Sequence, residues 1–133
     1  MIVLDTSILI EHMRQRGKGK KSLFDRISSV EGNYNLGISV VTVQELYQGK
    51  STREKEKEEE MLDLLSYLKI YTYDEDLSAT AGKIARDWKP EMEFADAAIA
   101  ATAINEGCHL FTLNTRDFQN IPSLTLYYLP LWR

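Results

Sequence analysis

The feature that most constrains this chain is a recurring handover in which a short apolar run passes straight into a helical pattern, with no hairpin turn between. "IVLD", at residues 2–5, reads as a strand buried on both faces, and "TSILIEHMR" follows with Ile8, Leu9 and Met13 at helical spacing. "YNLGIS" enters "VVTVQELYQG", a helix that ends at Gly49 and carries Thr42 and Glu45 in capping-box spacing. "HLFTLN" enters "TRDFQNIP", a loop or short turn of helix. Strands that hand over to helices predict a mainly parallel central sheet in a three-layer α/β/α sandwich. Ligands of such sheets bind at the carboxyl ends of the strands.

The rest of the chain fits this frame. "KKSLFDRISSV" predicts a second amphipathic helix that stops near Gly32. "STREKEKEEEMLDLLSYLK" predicts one long helix, charged and solvated in its first half, burying Met61, Leu62, Leu64, Leu65 and Leu68 in its second. "IYTY" reads as an edge strand, and "DEDLSATAGKIARDW" as a helix with Leu77, Ala81, Ile84, Ala85 and Trp88 on its apolar side, ended by Pro90. "FADAAIAATAINEG" is an alanine-rich helix closed by Gly107, and "LTLYYL" reads as a last strand.

With 133 residues and neither linker nor repeat, one domain spanning 1–133 is expected. No run approaches the roughly 18 apolar residues of a membrane helix, and Asp5 interrupts the N-terminal run too early for a signal peptide. The single cysteine, Cys108, forms no internal disulfide and reads as core filler, so a cytoplasmic location is expected. A net charge of -4 argues against a basic coat for nucleic acid but permits a local patch. "RQRGKGKK", with Arg14, Arg16, Lys18, Lys20 and Lys21, is that patch or simply a solvated loop.

Four acids fall near strand ends or helix starts on what should be one edge of the sheet: Asp5, Glu45, Asp96 and Asp117. Singly, each has a structural explanation. Asp5 is a candidate N-cap, Glu45 the reciprocal half of a capping box, Asp96 a first-turn acid facing a helix dipole, and Asp117 a loop residue. Capping gives no reason for them to converge. Converging carboxylates repel one another unless a cation neutralises them. An all-oxygen set suits Mg²⁺ or Mn²⁺ rather than zinc, and His12 and His109 are too few and too distant in sequence to change that.

The segments "IVLDTSILIE", "ISVVTVQELYQG", "FADAAIAATAINEG" and "LFTLNTRDF" together resemble the PIN-domain ribonucleases, most of all the VapC-type toxins of prokaryotic toxin–antitoxin systems. The resemblance runs in order along nearly the whole chain. It implies a pocket of Asp5, Glu45, Asp96 and Asp117 for Mg²⁺- or Mn²⁺-dependent RNA cleavage. It also implies that Thr6, Ser7, Thr112 and Asn114 hold those acids or position water, with Thr6 and Ser7 equally readable as helix caps. Glu93 is an extra acid expected outside the pocket. Basic residues able to offset the pocket's charge toward RNA are Arg14, Arg16, Lys18, Lys20, Lys21, Lys50 and Arg116. A homodimer and a small antitoxin are the implied partners, with apolar faces in "SILIEHM" and "MLDLLSYL" as possible contacts.

Three alternatives compete: a PIN nuclease of RNA processing, a binding module without chemistry, and a phosphatase using Asp5 as nucleophile. The last ranks low because Ser7 stands where a phospho-aspartyl pattern places its second aspartate.

Overall fold

The computed structural model describes residues 1–130. Strands β1 (Ile2–Leu4), β2 (Leu36–Ser39), β3 (Lys69–Tyr71) and β4 (His109–Phe111) form one sheet in the order β3-β2-β1-β4, with every neighbouring pair parallel. Alternation along the strands sorts their side chains into two cores. Ile2, Leu4, Leu36, Ile38 and Phe111 pack with helices α1 (Thr6–Gly17), α2 (Leu23–Glu31), α3 (Val40–Gln48) and α4 (Lys55–Leu65). Val3, Tyr71 and Leu110 belong to the other core, with helices α5 (Glu75–Asp87), α6 (Phe94–Asn105) and α7 (Thr115–Phe118). This is the α/β/α sandwich that the strand–helix alternation predicts.

α6 is buried continuously from Ala97 to Ala103. Its alanines let it lie close against its neighbours, and a helix apolar all round belongs in an interior. The chain lays β2 and β3 on one side of β1 and later returns to place β4 on the other. That reversal opens a crevice beyond the carboxyl ends of β1 and β4, where such sheets bind ligands. Asp5 N donates to Phe111 O at 2.9 Å and carries the β1–β4 pairing to the crevice floor.

Local chemistry departs from the sequence expectations at several places. Ser39, not Thr42, caps α3, its Oγ accepting from Val41 N at 3.1 Å. The capping box between Thr42 and Glu45 is therefore absent, and Glu45 is left for another role. Asp5 occupies the N-cap position of α1, yet its carboxylate makes no capping bond, and neither Thr6 nor Ser7 caps the helix. The long charged helix is broken: Lys50–Arg53 form a 3-10 turn, and α4 begins at Lys55. Thr52 Oγ1 donates within hydrogen-bond reach of Gly49 O at 2.9 Å and Tyr47 O at 3.2 Å, a local side-chain bond that competes with regular helix. Met61, Leu64, Leu65 and Leu68 are buried as expected, but Leu62 faces solvent.

Trp88 leaves the apolar side of α5 to become its C-cap, exposed by 55 %. The last predicted strand, "LTLYYL", reduces to a single parallel bridge between Leu110 and Leu126. Two backbone bonds at Leu110, to Thr125 O and from Tyr127 N, make that bridge, and side chains add to it: Tyr127 packs edge-on against Phe111 and its Oη donates to Glu31 Oε2 at 2.7 Å. Cys108 is buried in the core, as expected. Among the described residues no helix is long and apolar enough to cross a membrane.

Candidate active site

Asp5 is the deepest group of the crevice, only 2 % exposed. A buried carboxylate needs donors, and two hydroxyls supply them on the same oxygen. Ser7 Oγ donates to Asp5 Oδ2 at 2.7 Å, and Thr112 Oγ1 donates to that oxygen at 2.7 Å. Each hydroxyl in turn accepts a backbone N–H from the segment after β4. Leu113 N reaches Ser7 Oγ at 3.2 Å, and Asn114 N reaches Thr112 Oγ1 at 2.9 Å. Asp5 is thus oriented through Oδ2, and Oδ1 retains its lone pairs for another ligand. Asn114 enters this network by its backbone N–H.

Glu45 is held from the other side. Thr6 Oγ1 lies 2.6 Å from Glu45 Oε1 and 2.9 Å from Thr42 Oγ1. With one proton to give, Thr6 donates to the carboxylate and accepts from Thr42. Thr42, buried inside α3, therefore props Thr6 rather than capping a helix.

Asp96 sits in the first turn of α6, half-buried. Burial first, and then the charges of Asp5, Glu45, Asp117 and Glu93, push its carboxyl up to about 6. Those four acids come from three other segments and from the residue capping α6, so the edge that the sequence predicts is a physical convergence. Glu93 is a correction: it faces the same charge cluster rather than lying outside it. It also lines, with Asp96, two clefts that meet there. One, of about 480 Å³, continues to Asp117 and Arg116; the other, of about 500 Å³, continues to Glu45. Asp117 is exposed, in the short helix α7.

The four predicted acids and Glu93 stand apart rather than closed: among the described residues no three acidic, histidine or cysteine groups already converge on one ion position. Their chemistry still fits a hard divalent cation. All are carboxylate oxygens, one is anchored at its far oxygen, and the central one is pushed toward protonation by its neighbours' charge. His12 is excluded from this set because it is buried 2.6 Å from Ser22 Oγ, and burial lowers its pKa.

The predicted basic patch is not gathered at the crevice. Arg14 and Arg16 lie in the last turn of α1, so the rise of the helix carries Arg16 about 16 Å from Asp5. Lys18, Lys20 and Lys21 follow it in an exposed loop. Arg14 does share a smaller cleft with Glu45, and Lys50 is exposed in the turn beyond α3. Arg116 alone of the predicted cations borders the cleft of Asp96 and Asp117, joined there by Lys89, whose Nζ meets Arg116 O at 3.5 Å. Lys89 gave no sequence signal beyond its charge. The proximity of Glu93 to Asp96, three residues along one helix start, is the signal that would have found it.

The model of the PIN domain matches residues 2–124. The chain belongs to the PIN-domain family. Ribonuclease VapC1 of Methanocaldococcus jannaschii is 30% identical over 129 residues, covering 94% of this chain and 84% of that protein. A crystal structure of VapBC2 from Rickettsia felis bound to a promoter DNA fragment superposes with a TM-score of 0.79 at 24% identity, covering 96% of this chain and 98% of that one. The structure of VapBC-1 from nontypeable Haemophilus influenzae gives a TM-score of 0.74 at 26% identity, covering 96% and 97%. The fold of this PIN domain is thus that of chains found in toxin–antitoxin complexes.

Proposed function

We propose that this PIN domain is a Mg²⁺- or Mn²⁺-dependent endoribonuclease and the toxin of a toxin–antitoxin pair. The observation that carries the reading is the crowding of Asp5, Glu45, Asp117 and Glu93 on Asp96 at the sheet's switch point. A chain has no structural need to gather four acids around a half-buried carboxylate. Asp5, Glu45, Asp96 and Asp117 are the residues that would hold the cation. When bound, it supplies Lewis acidity toward the scissile phosphate and the attacking water, and offsets the charge that develops.

The chain's own residues do the rest. Ser7 and Thr112 fix the rotamer of Asp5, and Thr6 fixes that of Glu45. Glu45 would orient the attacking water and accept its proton, and Asp96 would serve with Asp5 in holding the cation. Water adds to phosphorus, the bond to the 3′ oxygen breaks, and that oxygen takes a proton. The products are a 5′-phosphate and a 3′-hydroxyl, and the RNA 2′-hydroxyl is not consumed.

The VapBC neighbours support a small antitoxin as partner, and the family supports a homodimer in the cytoplasm. Ile10 on α1 and Leu62 on α4, both exposed, are available apolar contacts for either. The deciding experiment incubates the purified chain with total RNA in Mg²⁺, Mn²⁺ or EDTA, beside Asp5→Asn and Asp96→Asn, and sequences the new 5′ ends. Metal-dependent 5′-phosphate ends, lost in both variants, are expected. Ends that persist in EDTA or in either variant would overturn the assignment.

A further inference from the structure

Two large aromatic rings flank the acids and belong to neither core. Trp88, at the C-cap of α5, lines the cleft that leads to Asp96 and Asp117. Phe94, the first residue of α6 and 73 % exposed, lines the cleft that leads from Asp96 to Glu45. The clefts share Glu93 and Asp96, so one ring stands on each side of the acid cluster. Tyr73 buttresses Phe94 edge-on, with centroids 6.0 Å apart and ring planes at 75°. That contact holds the ring from one side without covering it. Beside Trp88, the same cleft carries Lys89 and Arg116.

Exposed aromatics with cations near one of them, as Lys89 and Arg116 stand near Trp88, are what a single-strand binder presents, because every unpaired base offers a π face and every linkage a phosphate. A duplex hides its base faces, and an A-form helix cannot lay two bases into separate clefts. We infer that Trp88 and Phe94 are stacking platforms for the bases on either side of the scissile phosphate, so that the site grips RNA by the faces of two of its bases. The inference rests on the ribonuclease reading above and adds residues that do not touch the cation. Stacking is worth about 1–3 kcal/mol per base, so loss of either ring should weaken binding roughly 5- to 150-fold. Because the rings act on binding, the loss should fall on KM more than on kcat.

The chain has two tryptophans, and replacing Trp132 by Phe leaves Trp88 as the sole indole. The test uses the full-length W132F/D96N protein with Mg²⁺, so that binding is read without cleavage, and titrates a short unpaired RNA and the same strand in a duplex. The expected result is quenching of Trp88 fluorescence by the single strand, with the duplex bound at least about tenfold more weakly. Adding Trp88→Ala, read by a labelled RNA, or Phe94→Ala should reduce affinity by at least about fivefold. Phe94→Tyr should restore it and Phe94→Leu should not, which separates stacking from simple apolar contact. Sedimentation of each variant should match the parent.

If wild type cleaves RNA but both alanine variants bind it like the parent, the stacking inference falls and the nuclease reading stands. The same holds if the variants alter only self-association or binding of an antitoxin. If wild type cleaves no RNA and the W132F/D96N protein binds none, both fall.

Discussion

Asp96→Asn isolates the cost of the acid cluster. In the folded, metal-free protein Asp96 titrates at about 6 against an ordinary 3.8. Between those values the folded chain keeps a proton that the unfolded chain has lost, so this residue's contribution to stability falls as pH rises. Below 3.8 both states are protonated and nothing is lost; above about 6 the penalty is complete. The displacement corresponds to about 3 kcal/mol, which solvent screening of a half-buried group reduces to about 1–2 kcal/mol. Asparagine keeps the shape and removes the charge. Asp96→Asn should therefore match wild type near pH 4 and exceed it above pH 6.5, by about 3–10 °C in Tm for a chain of this size. Thermal unfolding in EDTA across pH 4–8 measures it. Adding Mg²⁺ or Mn²⁺ should stabilise wild type at pH 7.5, by about 1.4 kcal/mol at tenfold excess over Kd, and stabilise the variant less. Equal Tm values for the two proteins from pH 4 to pH 8 would refute the reasoning.

Thr112→Val removes a donor from a buried carboxylate and should cost about 1–3 kcal/mol in urea unfolding, whereas Thr112→Ser should stay near wild type. Gly37→Ala would bring a Cβ to 2.8 Å from Tyr71 Cε2 and 3.0 Å from Lys69 O, inside the β2–β3 pair. It should lose about 1–3 kcal/mol by the same measurement. Lys89→Ala and Arg116→Ala should each lower the salt dependence of RNA binding by about 0.7 in log K against log [salt], while Lys20→Ala, at the far end of α1, should leave it unchanged.

The order of elements was legible because β1 and β2 announce themselves by buried apolar runs, β3 and β4 by short apolar stretches between helices, and each helix by its spacing. Asp5, Asp96 and Asp117 were legible for the same reason: strand ends and helix starts can be counted along the chain. Glu45 was legible as an acid but carried a false second meaning, since a capping box depends on which residue begins the helix, and Ser39 begins it. Trp88 reads as core by spacing, but the helix ends one residue before it. The segment after Ile121 alternates like a strand, yet alternation says which side chains face inward and nothing of how many backbone groups find a partner. The basic run was visible and its distance from the acids was not, because the direction in which α1 leaves the sheet is a tertiary fact. Lys89 meets Arg116 at the crevice by the same kind of long-range packing, whereas Glu93 is brought to Asp96 by the first turn of α6 alone.

Thr112 and Asp5, which share one hydrogen bond, stand 107 positions apart in the chain. Every contact that orients the first acid from the segment after β4 waits for residues more than a hundred positions downstream. A polypeptide made only as far as the residues before β4 has β1 paired with β2 alone and Asp5 without Thr112. Such a chain lacks the donors that fix Asp5, so the pocket is organised only once β4 and the segment after it have been made and docked.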